Sequence, residues 1–159
     1  GHVLEGLFAS GTIFRYVNEF VGQNDSIGPA AAFALSDAQW EAFVAFAEAD
    51  AGLAYPSATL SAFEDAVDMA KEERYWALDS SAFQALAGLL APEVKRDLSA
   101  FRDEIQEALE QEIVMRYHLQ PGVIEWVLPR DEVVAKALDI IRDRSFETIL
   151  AGTHADMTP

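Results

Sequence analysis

Apolar side chains recur every three or four residues along most of the chain, and the longest run of that pattern without a breaker is Pro92 to Leu119, PEVKRDLSAFRDEIQEALEQEIVMRYHL. Leu98, Phe101, Ile105, Leu109 and Ile113 fall on one stripe, with Arg102, Asp103, Glu107 and Glu110 away from it. The spacing predicts one long helix with a wet face. Pro92 suits its first turn, where a missing N–H costs nothing, and Pro121 with Gly122 supplies the stop. At about 1.5 Å per residue this is a rod of roughly 40 Å. Ile113-Val114-Met115, followed by Tyr117 and Leu119, is apolar around the whole circumference. That end of the helix is therefore expected at the centre of the core.

The other elements follow from the same pattern and its punctuation. Leu4 to Gly22 is helical, with Gly11 as a breaking point. Gln23 to Leu35 is a loop whose Phe33 and Leu35 tuck into the core. Ser36 and Gln39 form a capping box that opens a helix at Asp37, burying Trp40, Phe43, Val44 and Ala47, and Gly52 is placed to end it in the left-handed conformation. Ser57 or Thr59 caps a helix to about Trp76, with Leu60, Phe63, Val67 and Ala70 inward. Ser81 and Gln84 repeat the capping box before a short helix through Leu90, and Pro92 disfavours helical geometry at Ala91. Val123 to Leu128 is too short for periodicity to separate helix from strand. Asp131 caps a helix to about Asp143 with Val134, Ala137, Leu138 and Ile141 inward, and Ser145 opens a last turn with Phe146, Ile149 and Leu150. No segment alternates with the period of a strand and no repeat recurs. The fold class is all-α, an irregular bundle of about six to eight helices around the long helix at 92–119, in a single domain over residues 3–151. Residues 152–159 have nothing to pack and form a disordered tail, and Gly1-His2 reads as a cloning remnant.

Composition narrows the function classes. The chain of 159 residues has no cysteine, which excludes disulfides, thiolate catalysis and cysteine-held metals. Acids outnumber bases 27 to 11, a net charge of −16, so phosphate backbones are repelled and nucleic acid is not the partner. Lysine is confined to Lys71, Lys95 and Lys136, a balance that fits either solvation in concentrated salt or a GC-rich genome with an acidic surface. No apolar run reaches the length of a membrane span, so no membrane insertion is expected.

The usual catalytic arrangements are missing from the sequence. Helical metal sites use pairs such as Glu-x-x-His, but Met115 stands three residues before His118 and Ala151 three before His154. His118 reads as a C-terminal cap or a partly buried ring. Glu104, Glu107 and Glu110 read as a solvated face, and Ser10, Ser36, Ser57, Ser61, Ser80, Ser81 and Ser145 as caps or turn residues, none in a glycine-flanked elbow with a base beside it. No nucleophile, metal or cofactor site emerges. Two pairs are singled out for other reasons. Glu112 and Arg116 have the favourable order and spacing of a helical ion pair; exposed, it contributes at most about 0.5 kcal/mol, whereas shielded beside Ile113-Val114-Met115 it would lose about 3–5 kcal/mol on removal of one partner. Tyr75 and Trp76, at a helix end beside Lys71-Glu72-Glu73-Arg74, are the candidate interface pair, although core packing explains most of the 17 aromatic residues.

Five stretches, Gly11-Thr-Ile-Phe-Arg-Tyr16, Phe33-Ala-Leu-Ser-Asp37, Glu112-Ile-Val-Met-Arg-Tyr117, Ala137-Leu-Asp-Ile-Ile141 and Ile149-Leu150, run nearly end to end. Through them the chain resembles the helical C-terminal region of carboxy-terminal processing peptidases, the S41-like tail-specific serine proteases, in their Bacteroidetes form. The resemblance lies in packing patterns and includes neither the family's PDZ module nor its Ser-Lys dyad, so it transfers no catalytic residue. It implies a non-catalytic accessory domain that supports the protease core, mediates oligomerisation, or docks an adaptor or substrate, with the core, an adaptor or a second copy as partner. It also implies a periplasmic or envelope location. Two other classes stand beside it: a free-standing acidic helical interaction module, marked by an exposed apolar groove, and an enzyme whose site assembles from scattered carboxylates.

Overall fold

In the computed structural model, which describes residues 1–55 and 57–142, the elements start and stop largely where caps and breakers direct. Gly11 takes a left-handed φ of 73°, a conformation costing residues with a Cβ about 1–2 kcal/mol, and parts α1 (His2–Ala9) from α2 (Thr12–Gln23). α3 (Asp37–Ala49) opens on the expected capping box, the Gln39 N–H donating to Ser36 Oγ and the Ser36 N–H to Gln39 Oε1 at 2.8 Å. Ser57 Oγ accepts the Leu60 N–H at the start of α4 (Ala58–Glu72). After it come α5 (Ser80–Leu90), α6 (Val94–Ala100), α7 (Arg102–Val127) and α8 (Glu132–Arg142), the last begun by Asp131, whose Oδ1 accepts the Val133 and Val134 N–H groups. Single 3-10 turns lie at Ala30–Ala32, Tyr75–Ala77 and Leu128–Arg130. Eight α-helices and no strand among the described residues make the chain an all-α helical bundle.

The departures from the sequence reading have local causes. The run expected as one helix over 92–119 is two, α6 and α7, because Phe101 leaves the helical region at φ −113° and ψ 24°. The periodicity hides this break, since Phe101 N–H still reaches the Asp97 carbonyl and Ile105 N–H the Phe101 carbonyl. Pro92 stands before the first turn; Glu93 is the cap, accepting the Arg96 N–H. At the other end Pro121 has no N–H and its ring crowds the preceding turn, so the chain leaves helical geometry at Leu119 (φ 57°, ψ −165°) and resumes it through Val127, which settles 123–127 as helical. Asp79, not Ser81, caps α5: its carboxylate accepts the Ala82 N–H and takes the Ser81 hydroxyl as a second donor. α4 ends at Glu72, with Arg74 left-handed at φ 70°. Gly52 is not left-handed; Asp50 caps α3 and accepts the Gly52 N–H. Glu110, expected on the wet face, is buried, sharing the i+3 and i+4 face of Ile113 and Val114. The last turn expected at Ser145, with Phe146, Ile149 and Leu150, and the tail with His154 lie outside the described residues, as does Pro56.

Two compact units are present. In the first, Gly1–Gln23 with Leu35–Leu109, the core is built from Val3 and Leu7 of α1, Ile13, Tyr16, Val17 and Phe20 of α2, Trp40, Phe43, Val44 and Ala47 of α3, and Leu98, Ile105 and Leu109. Each large side chain so buried contributes about 1.5–3 kcal/mol. Tyr16 meets Phe43 edge-on at 5.1 Å and its hydroxyl donates to the Gln39 carbonyl at 2.9 Å, so a polar tip is satisfied inside an apolar layer.

Thr12 is fully buried, and its hydroxyl donates to Asp50 Oδ2 at 2.6 Å, tying the start of α2 to the end of α3. That hydrogen bond, with the Gly52 N–H and the Arg15 guanidinium, holds the Asp50 carboxyl below the usual carboxylate range against the burial that would raise it. A lowered folded-state pKa means stability present above the unfolded value of about 3.9 and lost as pH falls through the folded one. Asp50→Asn is therefore expected to cost more stability at about pH 7 than at about pH 3, compared by urea midpoints. A cost that is the same at both pH values contradicts this role.

The second unit comprises Asn24–Ala34 and the described residues from Glu110 onward. Its loop is held by side chains that satisfy backbone carbonyls lacking a helical partner. Tyr117 donates to the Asn24 carbonyl, His118 Nε2 to Gly28 at 2.7 Å, and Trp126 Nε1 to Phe33 at 3.0 Å. Arg130 reaches the same Phe33 carbonyl at 2.9 Å while its guanidinium lies 4.3 Å from the Trp126 ring centre. Trp126, Ile113, Val114, Val123, Ala30 and Phe33 are buried.

Candidate functional site

α4 and α5 each carry an apolar stripe, and the turn at 73–79 folds them into a hairpin within the first unit. Arg74, left-handed, reverses the chain after α4, and Trp76 in the following 3-10 turn is brought back over the pair. Its ring lies 5.2 Å from that of Phe83, which stacks in turn on Phe63 at 6.4 Å and 28°. Phe63 and Val67 of α4, expected inward, are only half-buried, as are Phe83 and Ala87 of α5 and Trp76, while Ala70 is buried as expected. Between them opens a cleft of 150 Å³.

Polar groups line the mouth of this cleft. Lys71 Nζ is held 2.9 Å from Asp68 Oδ1 and lies 5.4 Å from the Trp76 ring centre, so that cation is engaged by an opposite charge and by a ring face. Glu64 on α4 and Gln84 on α5 also line it, and no hydrogen bond or ion pair engages either side chain among the described residues. Around the hairpin, Met69, Tyr75, Leu78, Leu86 and Leu89 are exposed, Leu78 by 80%. Aromatic walls and aliphatic surroundings of this kind are the features of surfaces on which a partner's side chains are seated.

The structure separates the two aromatic candidates. Tyr75 is 57% exposed and stands outside, whereas Trp76 forms a wall of the cleft. Sequence reasoning took Phe63, Val67 and Phe83 for ordinary core because periodicity reports which face is apolar, not how deeply it is covered. The available signal was that two short helices share one tight turn and must cover each other. Of the second pair, Glu112 is half-buried and Arg116 exposed.

A second apolar face lies on α8, where Val133 and Ile141 are 77% and 62% exposed and Leu138 is also open. Ala137, Leu138 and Ile141 are thus not the inward residues the periodicity implied. A hollow at the α6–α7 break, lined by Ser99 to Glu104, is polar and joins no catalytic pair. Among the described residues no three His, Asp or Glu side chains come together to hold a metal ion, and no helix is long and apolar enough to cross a membrane.

Residues 3–141 match the family model described as "Probable PDZ-protease, C-terminal helical domain". No curated protein and no solved structure matches the chain.

Proposed function

Since the chain belongs to the C-terminal helical domains of PDZ-proteases, we propose that it is a non-catalytic accessory domain of a serine endopeptidase of the S41-like, carboxy-terminal processing kind, and that it docks another polypeptide, an adaptor or a substrate, for the protease. The observation that carries the docking role is the half-open aromatic cleft between α4 and α5, lined also by a carboxylate and an amide that are unpaired among the described residues. A domain serving only to support the core would gain nothing from leaving these rings half-covered, since their burial is worth about 1.5–3 kcal/mol each. The parent enzyme works in the periplasm or cell envelope. The net charge of −16 repels phosphate backbones, which supports a polypeptide rather than a nucleic acid as the partner.

The purified chain is expected to bind polypeptide without cleaving it. Incubation with unfolded protein substrates, followed by mass spectrometry, should return them intact. Turnover that disappears when one serine of this chain is replaced contradicts the non-catalytic role.

A further inference from the structure

We infer that the cleft between α4 and α5 receives one bulky apolar side chain from a cationic polypeptide segment, with a lysine or arginine beside that anchor seated on Glu64. This rests on the docking reading above and adds the chemistry of the occupant. The volume sets the first half: at 150 Å³ the cleft matches a cavity that holds a benzene-sized group, hence one leucine, methionine or aromatic side chain. Its walls, Phe63, Val67, Trp76, Phe83 and Ala87, offer only carbon surface and ring faces.

The charge sets the second half. Asp68 is occupied by Lys71, and Lys71 by Asp68 and the Trp76 ring, so neither calls for a charge from outside. Glu64 has no such partner among the described residues. Gln84 of α5, which lines the same cleft, has both an amide donor and an acceptor unused among the described residues, suited to the backbone of an incoming segment. The hairpin has Glu64, Asp65, Asp68, Glu72, Glu73 and Asp79 against Lys71 and Arg74, and the whole chain has a net charge of −16. An acidic segment or a second copy of this chain is repelled at this mouth, and a basic one is drawn to it.

The test is a fluorescence-anisotropy titration of the intact chain, at physiological salt, against short labelled peptides of leucine and lysine, leucine and glutamate, or serine and lysine. The leucine–lysine peptide is expected to bind at least about tenfold more tightly than either control, since it alone supplies both anchor and charge. Glu64→Lys is expected to weaken it by about tenfold, while Glu107→Lys, the same charge change on the exposed face of α7, changes it less than about twofold. Ala87→Leu fills the cleft without removing any of the aromatic packing and should abolish the preference for leucine, with helicity by circular dichroism unchanged. Equal weakening by both charge reversals would show binding to the acidic surface at large and overturns the inference. Equal binding of the leucine–glutamate peptide, blocked by Ala87→Leu, overturns the cationic occupant but leaves the docking reading standing. Binding of none of the peptides, or sedimentation showing self-association that Ala87→Leu removes, overturns the inference as well.

Discussion

Trp126→Ala should destabilise the chain by about 3–5 kcal/mol, the range for truncating a fully buried aromatic residue. Trp126 is 1% exposed, its indole N–H holds the Phe33 carbonyl at 3.0 Å, and its ring carries the Arg130 guanidinium at 4.3 Å. Alanine therefore removes the packing of the second unit together with one of the ties that anchor its loop. Trp126→Phe isolates the indole N–H, because it keeps a ring in the core and loses only that donor while Arg130 still donates to Phe33. It should cost clearly less. Urea midpoints measure both, and a loss below about 1 kcal/mol for the alanine variant would mean the indole is not the anchor of this unit.

Gly6→Ala should also be strongly destabilising, by about 3 kcal/mol, the upper part of the range for overpacking, although alanine in place of glycine inside a helix ordinarily gains up to about 1 kcal/mol. A Cβ at Gly6 would stand 2.4 Å from Tyr55 Cβ and 2.8 Å from the Ala54 carbonyl oxygen. Both atoms belong to backbone or to the root of a side chain, so no rotamer change relieves the contact and the 54–55 segment must move off α1. Tyr55 cannot yield freely, because its hydroxyl donates to Asp97 at 3.0 Å and the residue is buried. The sign decides: a midpoint that rises with Gly6→Ala would show that α1 and Tyr55 are not packed this closely.

The helices were legible in the sequence wherever a side chain acts on its own backbone. Ser36 with Gln39, Ser57, Asp131 and Gly11 announce boundaries within three residues of themselves, and the structure places the boundaries there. Competition between neighbouring candidates was not legible. Asp79 displaces Ser81 as a cap and starts α5 two residues earlier, and Asp50, two residues nearer α3, does at its end what Gly52 was expected to do; in each case a charged acceptor takes the position. Depth of burial was legible only in part. Trp40, Phe43 and Leu109 are covered as their periodicity implies, but the same periodicity in α8 marks Leu138 and Ile141, which are exposed. A stripe specifies a direction, and only a partner element turns that direction into burial. The cleft escaped for the same reason: Phe63, Val67 and Phe83 were read as the apolar face of their helices, while the missing cover over that face has no signature in the chain.

The docking account is tested most directly in the intact protease carrying Ala87→Leu, by comparing its cleavage of a short unstructured peptide with its cleavage of a protein substrate. The account predicts that the peptide is cleaved at the unaltered rate while kcat/KM for the protein falls by about tenfold, the loss of one well-packed anchor. Unchanged cleavage of every protein substrate, or an equal fall for peptide and protein, would contradict it.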